Sequence, residues 1–306
     1  MLFNKKQYFE GWYYKIFDRD GRHGLAIIPG LSLVADQDNS HAFIQIFKAD
    51  RCETAYHSFP LSEFNLATDK FNLQLGRNQF TLAGLTLDLA DKGETVSGEL
   101  KFSGAVPWPV KLFSPGAMGW YAFLPFLECY HGILSFDHGI EGSLTVNGQT
   151  IDYTGGRGYL EKDWGSSMPS DWFWLQSNHF GAEGVSLSVS IARIPWFKLS
   201  FIGFIIGFYH QGTLYRFTTY TGAKIKQLLV QGESARLKIE DKQYCLEIEA
   251  KSHDGVLLAA PVAGEMKGRV KESLSAEVWV RLSRKDGQVV FQGLGKNAGM
   301  ESVGIL

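Results

Sequence analysis

Residues 144–153 read LTVNGQTIDY, two alternating apolar–polar runs joined by Asn147-Gly148. An Asn-Gly pair supplies the left-handed backbone positions of a tight hairpin turn, whose twist matches that of paired strands. The same period-two pattern recurs along the chain. It is seen at 71–75 (FNLQL), 80–89 (FTLAGLTLDL), 185–191 (VSLSVSI), 236–239 (RLKI), 244–248 (YCLEI) and 276–282 (AEVWVRL). Alternation sends one side of each segment into a core and the other outward. Turn residues return at the spacing of an antiparallel sandwich or barrel rather than of βαβ units. Helix is expected only as a turn or two within 115–127 and 267–275. Glu265, Arg269 and Glu272, which begin just before the second, have the spacing of a salt-bridged helical face, with an inward Arg269 orienting a ligand head group as the minority reading.

Composition agrees with a folded β protein. Of 306 residues, 45% are hydrophobic and 20% charged, which excludes wholesale disorder. A net charge of -2 argues against a broad basic footprint, so no nucleic-acid partner is expected. The three cysteines, Cys52, Cys129 and Cys245, are too dispersed for a disulfide framework or a zinc site of CxxC type. The N-terminal MLFNKKQYFEG has no apolar run after its lysines, so no signal peptide is expected. The most apolar run, 196–209 (WFKLSFIGFIIGFY), falls short of the roughly 20 residues of a spanning helix. It reads foremost as a core strand pair, with a pocket rim at a membrane surface or a dimer contact as alternatives. A cytoplasmic protein is expected, with room for a peripheral membrane contact; the oligomeric state is not readable.

The chain also reads as a duplication. Trp12, Tyr13, Tyr14, Gly21 and Gly24 match Trp172, Phe173, Trp174, Gly181 and Gly184 at one constant offset. Leu73, Leu75, Gln79, Phe80 and Leu82 match Leu237, Ile239, Gln243, Tyr244 and Leu246 at an offset four residues larger. Two β-units follow, 1–165 and 166–306. Small antiparallel barrels of this size enclose one small ligand.

Two segments stand out from the β background: 9–14 (FEGWYY), and 159–176 (YLEKDWGSSMPSDWFWLQ) with Asn178 just after it. On these residues the chain resembles the tocopherol cyclase-like proteins. That family has an N-terminal FEGWYF, a central EK-N-WG followed by FP, then WFW-Q-N. The stretch 119–128 (GWYAFLPFLE) and Ala298-Gly299-Met300-Glu301 also resemble family segments. Asp163 stands where the family usually has Asn, and Met168 precedes Pro169 where Phe is usual. The resemblance implies an all-β fold, a tandem pair of lipocalin-like (calycin) antiparallel β-barrels with few short helices. It is distantly similar to carotenoid hydratases and fungal decalin-forming cyclases. It also implies a cofactor-independent isomerase. The reaction protonates a prenyl double bond, and a phenol oxygen then closes a ring.

That chemistry asks for a carboxylic acid kept protonated near neutral pH, by burial and by a second carboxylate nearby. If 159–164 is extended, Glu161 and Asp163 share one face and Lys162 takes the other. Glu161 is then the expected acid and Asp163 its coupled partner. Both acids also have a bland reading, in a surface turn or paired with Lys162 or Arg157. Glu10, Trp12, Tyr14, Trp164, Trp172 and Trp174 are the expected substrate-binding residues, with Gln176 and Asn178 holding a polar head. The aromatic faces would shield a tertiary cation. Alternation puts Trp172, Trp174, Gln176 and Asn178 on one inward face. The tryptophans equally suit plain core roles, and Glu10 a structural one.

No metal is expected, because His131, Asp137 and His138 fit no helix-based zinc spacing. Gly155-Gly156-Arg157-Gly158 lacks the features of a phosphate loop and reads as a turn. The absence of G-x-S-x-G removes support for a serine hydrolase. Two functions remain. One is a tocopherol cyclase-like enzyme acting on a prenylated phenol or related isoprenoid. The other is a non-catalytic tandem lipocalin-like carrier of an apolar ligand. A solid-packed structural β protein is the third class.

Overall fold

The computed structural model describes residues 7–67, 70–91 and 93–304. Residues 1–6, which bear on the leader, lie outside the described residues. Two large antiparallel sheets carry the chain. In the first, Tyr8–Phe17 is central. On one side follow Gly24–Leu33, His41–Lys48 and Glu53–Phe59. On the other lie Arg157–Gly165, Cys129–Val146, Glu94–Ser103, Gly84–Asp91, Asn78–Thr81, Asn72–Leu75 and Phe64–Leu66. In the second, Trp172–Ser177 is central. Val185–Trp196, Leu199–His210 and Thr213–Thr218 flank it on one side. Val289–Val303, Glu265–Arg284, Tyr244–Lys251, Ser234–Glu240 and Lys224–Gln231 flank it on the other.

Both sheets follow one plan, with a central first strand, a meander to one side and the last strands returning to the other. Trp12 and Trp172 sit in corresponding central strands, as the internal repeat implies. The fold is all-β, on a tandem lipocalin-like plan. The expected closure into barrels is not complete in the hydrogen-bond ladders. Glu53–Phe59 and Phe64–Leu66 end the first sheet, Thr213–Thr218 and Lys224–Gln231 the second, and neither pair of edges is joined among the described residues. In each sheet these edges are consecutive in sequence, linked by a short 3-10 turn, Leu61–Glu63 and Thr219–Thr221. Each sheet therefore curls until its edges meet at a turn that cannot carry ladder bonds.

Two compact units result. The first comprises Met1–Trp108, Glu128–Met168 and Leu258–Arg269; the second comprises Pro109–Leu127, Pro169–Leu257 and Val270–Leu306. The first core gathers Trp12, Tyr14, Ile27, Ile44, Leu73, Phe80 and Leu160, with further aliphatics. The second gathers Phe173, Leu175, Leu187, Phe208, Leu237, Val280 and Met300.

The hairpin at 144–153 forms as read, with Val146 opposite Gln149 and left-handed Asn147 (φ 49°) and Gly148 (φ 82°) at the turn. The stretch 115–127 contains the 3-10 turn Gly119–Phe123. The expected turn of helix at 267–275 is not there. These residues belong to the strand Glu265–Arg284, where Glu272 lies opposite Glu301 and Ser273 opposite Met300. Pairing along a whole strand outweighs two or three i, i+4 charge contacts worth about 0.2–0.5 kcal/mol each. Residues 196–209 contribute to a strand pair, Val185–Trp196 with Leu199–His210, whose Ile206 and Phe208 enter the second core. No helix among the described residues is long and apolar enough to cross a membrane.

Candidate active site

The segment 157–165 is a strand held between two partners, Tyr8–Phe17 and Cys129–Val146. Glu161 lies opposite Tyr13 on one neighbour and Ile133 on the other. Asp163 lies opposite Gly11 and His131, Lys162 opposite Trp12 and Gly132, Trp164 opposite Glu10 and Tyr130. Residues directly opposite one another share a face. Tyr159, Glu161, Asp163, His131 and Tyr13 thus line one face. Leu160, Lys162, Trp164, Glu10, Trp12 and Tyr14 line the other, which is the face of the first core. The expected parity of Glu161 and Asp163 against Lys162 holds because the segment is extended. Gly165 ends the motif where the backbone passes too close to Glu128 O to admit a Cβ.

On the acid face one imidazole joins two carboxylates. His131 Nδ1 is 2.9 Å from Asp163 Oδ1, and His131 Nε2 is 3.8 Å from Glu161 Oε2. The Tyr159 hydroxyl donates to Glu161 Oε2 at 2.5 Å. Glu161 is 4% exposed and His131 8%, and Tyr159 is fully buried. Burial opposes charge on His131, but the Asp163 and Glu161 carboxylates and the Asp163 hydrogen bond outweigh it and push its pKa up to about 9. An imidazolium is therefore held at neutral pH. Burial, helped by Asp163, Glu128 and Glu161, pushes the neighbouring Cys129 thiol well up, which keeps it neutral.

The opposite face holds a different device. Lys162 Nζ pairs with Glu10 Oε1 and sits over both the Trp12 ring (4.9 Å) and the Trp164 ring (5.0 Å). Tyr8 OH donates to Glu10 Oε2 at 3.0 Å, and Trp164 stacks on Tyr130 at 5.4 Å. The N-terminal FEGW and the central EKDW thus interlock across adjacent strands. Trp12 also stacks on Phe71 at 5.0 Å, and the Tyr14 hydroxyl donates to Thr81 O at 3.0 Å. Of the residues singled out from sequence, Glu10, Trp12, Tyr14 and Trp164 share the core face, opposite to Glu161 and Asp163.

Trp172, Trp174, Gln176 and Asn178 lie in the second unit, all buried. Here the facing differs from the expectation. Phe173 and Leu175 enter the second core, so Trp172, Trp174 and Gln176 occupy the other face of their strand. Trp172 Nε1 donates to Glu301 Oε2 at 2.8 Å, and Glu301 lies opposite both Trp174 and Glu272. Trp172, Trp174 and Gln176 thus share a face, while Asn178 lies just beyond the strand. Which face met the core was set by the larger aliphatic set around Phe173 and Leu175.

His131 is the residue that sequence reading misses: it enters there only beside Asp137 and His138, as a metal set that is not expected, and the fold sends those two elsewhere. Asp137 accepts from Arg157 Nε at 2.9 Å, and buried His138 meets Ser135 Oγ at 3.2 Å. Burial pulls the His138 pKa down to about 4. Period-two alternation through 129–136 would have been the signal for His131, had its partner strand been known. His131, Glu161 and Asp163 also bring one ligating atom each within 4.8 Å of one another. Their carboxylates, however, flank opposite nitrogens of one ring. That suits passage of a proton better than convergence on one ion.

The family profile described as tocopherol cyclase-like matches residues 80–304. The chain belongs to the tocopherol cyclase-like family. A probable chloroplastic tocopherol cyclase of Oryza sativa subsp. japonica is 30% identical over 148 residues, which are 47% of this chain and 31% of that protein. A chloroplastic tocopherol cyclase of Zea mays is 28% identical over 150 residues, again 31% of its length. The similarity to both plant proteins thus spans under a third of their length. Among solved structures, CghA with Sch210972 superposes with a TM-score of 0.61 at 11% identity, over 97% of this chain and 89% of that one. Kievitone hydratase from Nectria haematococca gives 0.55 at 14% identity, over 96% and 88%. These two likenesses speak for the fold.

Proposed function

We propose that this family member catalyses acid-promoted ring closure on the prenyl double bond of a prenylated phenol or related isoprenoid. The observation that carries the reading is the His131 ring placed between Glu161 and Asp163 on one buried strand face. An alkene is a weak base, so the site must keep a proton at neutral pH and release it to carbon. His131 stores that proton. Asp163 fixes the ring through Nδ1, which turns Nε2 toward Glu161. Glu161, oriented by the Tyr159 hydroxyl, passes the proton to the less substituted alkene carbon. The tertiary cation that forms is captured by the phenol oxygen. The phenolic proton released on capture returns to the Glu161–His131 pair, so the reaction is an isomerisation with no net proton change. Tyr13, opposite Glu161, and Tyr159 offer aromatic faces to the cation. Trp12 and Trp164 already face the Lys162 ammonium, which gives them a structural part.

The reading is tested by incubating the protein with prenylated hydroquinones and short isoprenoids, with products followed by mass spectrometry and chiral chromatography. A single-enantiomer product of unchanged mass is expected, and a gain of one water would indicate hydration instead. Glu161→Gln should retain ligand and lose turnover by about 10²–10⁴-fold. Full activity in that variant would remove Glu161 from the mechanism. Retention of unchanged ligand by the wild-type chain would favour a carrier.

A further inference from the structure

In the second unit, two segments place large apolar side chains in water. Leu112 and Phe113, 82% and 80% exposed, form the tip of a small hairpin in which Val110–Lys111 pairs with Ser114–Pro115. Phe197 and Leu199, 85% and 78% exposed, stand at the tip where Trp196 pairs with Leu199. Aromatic contacts join the second tip to the stretch that follows the first hairpin. Phe126 is 5.3 Å from Trp196 and 5.6 Å from Phe197, and Tyr121 is 6.1 Å from Phe201. Trp120, Phe123 and Phe126 are exposed as well. The strand Ser114–Pro115 of the hairpin lies against Gly119–Phe123, and Tyr121 and Phe126 reach the second tip, so isolated surface apolar residues do not account for the exposure.

Its chemistry identifies the partner. Hairpin tips ordinarily carry Asn, Asp or Gly, yet here they carry Leu112-Phe113 and Phe197-Lys198. Phe197 holds a φ of 54°, a left-handed conformation that bulky residues seldom adopt. The two segments, 109–127 and 194–201, contain Lys111 and Lys198 and no carboxylate, although the whole chain has a net charge of -2. Protruding aromatic and leucine tips beside lysines suit the interface of an anionic bilayer, where rings enter the headgroup boundary and ammonium groups meet lipid phosphates. A two-fold copy of the chain would bring two equally positive patches together. We propose that the tips at 112–113 and 197–199 dock this protein on an anionic membrane surface. The proposal does not depend on the catalytic reading, and its test involves no turnover.

The test is flotation of the full chain with phosphatidylcholine vesicles, with and without phosphatidylglycerol. Wild type should float with the anionic vesicles, and brominated lipid should quench its tryptophan emission as Trp120 and Trp196 approach the boundary. The double variant Phe113→Ser/Phe197→Ser should partition at least about ten-fold more weakly. Lys111→Gln/Lys198→Gln should lose the preference for phosphatidylglycerol. Both variants alter exposed tips, and unchanged circular dichroism and melting will confirm their fold. Three results overturn the proposal. Wild type fails to float; or the tip variant floats as wild type does; or wild type self-associates through the tips in solution and ignores vesicles.

Discussion

His131 and Asp163 face each other across adjacent antiparallel strands, with Nδ1 and Oδ1 2.9 Å apart. The Asp163 carboxylate sets a negative charge beside a buried imidazole. Asp163→Asn removes that charge and keeps the shape. The His131 pKa is expected to fall from about 9 toward or below its ordinary 6.5, because burial is then opposed by Glu161 alone. Turnover at neutral pH should drop by about a hundred-fold, and the pH profile should lose activity at a lower pH than in wild type. Titration of the His131 ring by NMR checks the shift.

The same raised pKa sets a pH window for stability. A histidine whose folded pKa lies above its unfolded value contributes fully below the unfolded value and loses the contribution as pH rises through the folded one. For His131 the loss runs from about 6.5 to about 9. Urea unfolding across that range should show declining stability, and the decline should flatten in Asp163→Asn.

His138 has the opposite sign. Burial holds it neutral down to about 4 against an ordinary 6.5. The unfolded chain takes up a proton that the folded chain refuses, so stability falls as pH drops from 6.5 to 4. His138→Gln should unfold less readily on acidification relative to its own stability at pH 7. Urea melts of both chains at the two ends of that range provide the comparison.

Glu10 and Lys162 form a pair of which Glu10 is buried, whereas the Lys162 side chain keeps 25% of its surface exposed. Lys162→Met strands the carboxylate. A loss of about 2–3 kcal/mol is expected, toward the low end for broken buried pairs because water reaches the lysine. Glu10→Gln combined with Lys162→Met should recover most of it. A double-mutant cycle by chemical denaturation measures the coupling.

Gly165 closes the EKDWG motif where a Cβ would run into the Glu128 carbonyl. Gly165→Ala should cost about 1–3 kcal/mol and weaken the Arg157–Gly165 pairing that aligns Glu161. Thermal melting reads the first effect, and the turnover assay reads the second.

Much of this molecule was determined by its sequence alone. Period-two alternation and the Asn147-Gly148 turn specify antiparallel strands, because side chains on a pleated strand must alternate between faces. The parity of Glu161, Lys162 and Asp163 followed from the same geometry. The constant offset from Trp12 to Trp172 falls on two strands at corresponding places in their sheets. Three things awaited the tertiary structure. The first is the partner of each strand. His131 meets Asp163 only because the strand Cys129–Val146 returns beside Arg157–Gly165, and long-range register leaves no local trace. The second is the direction of each face. Alternation groups Trp172 with Trp174, but competition among all the apolar faces of the second unit turned Phe173 and Leu175 into its core. The third is the conformation of 267–275, where helical charge spacing yielded to a ladder supplied by a strand near the C-terminus. Local sequence sets period and turn; the burial of a whole sheet decides partner and side.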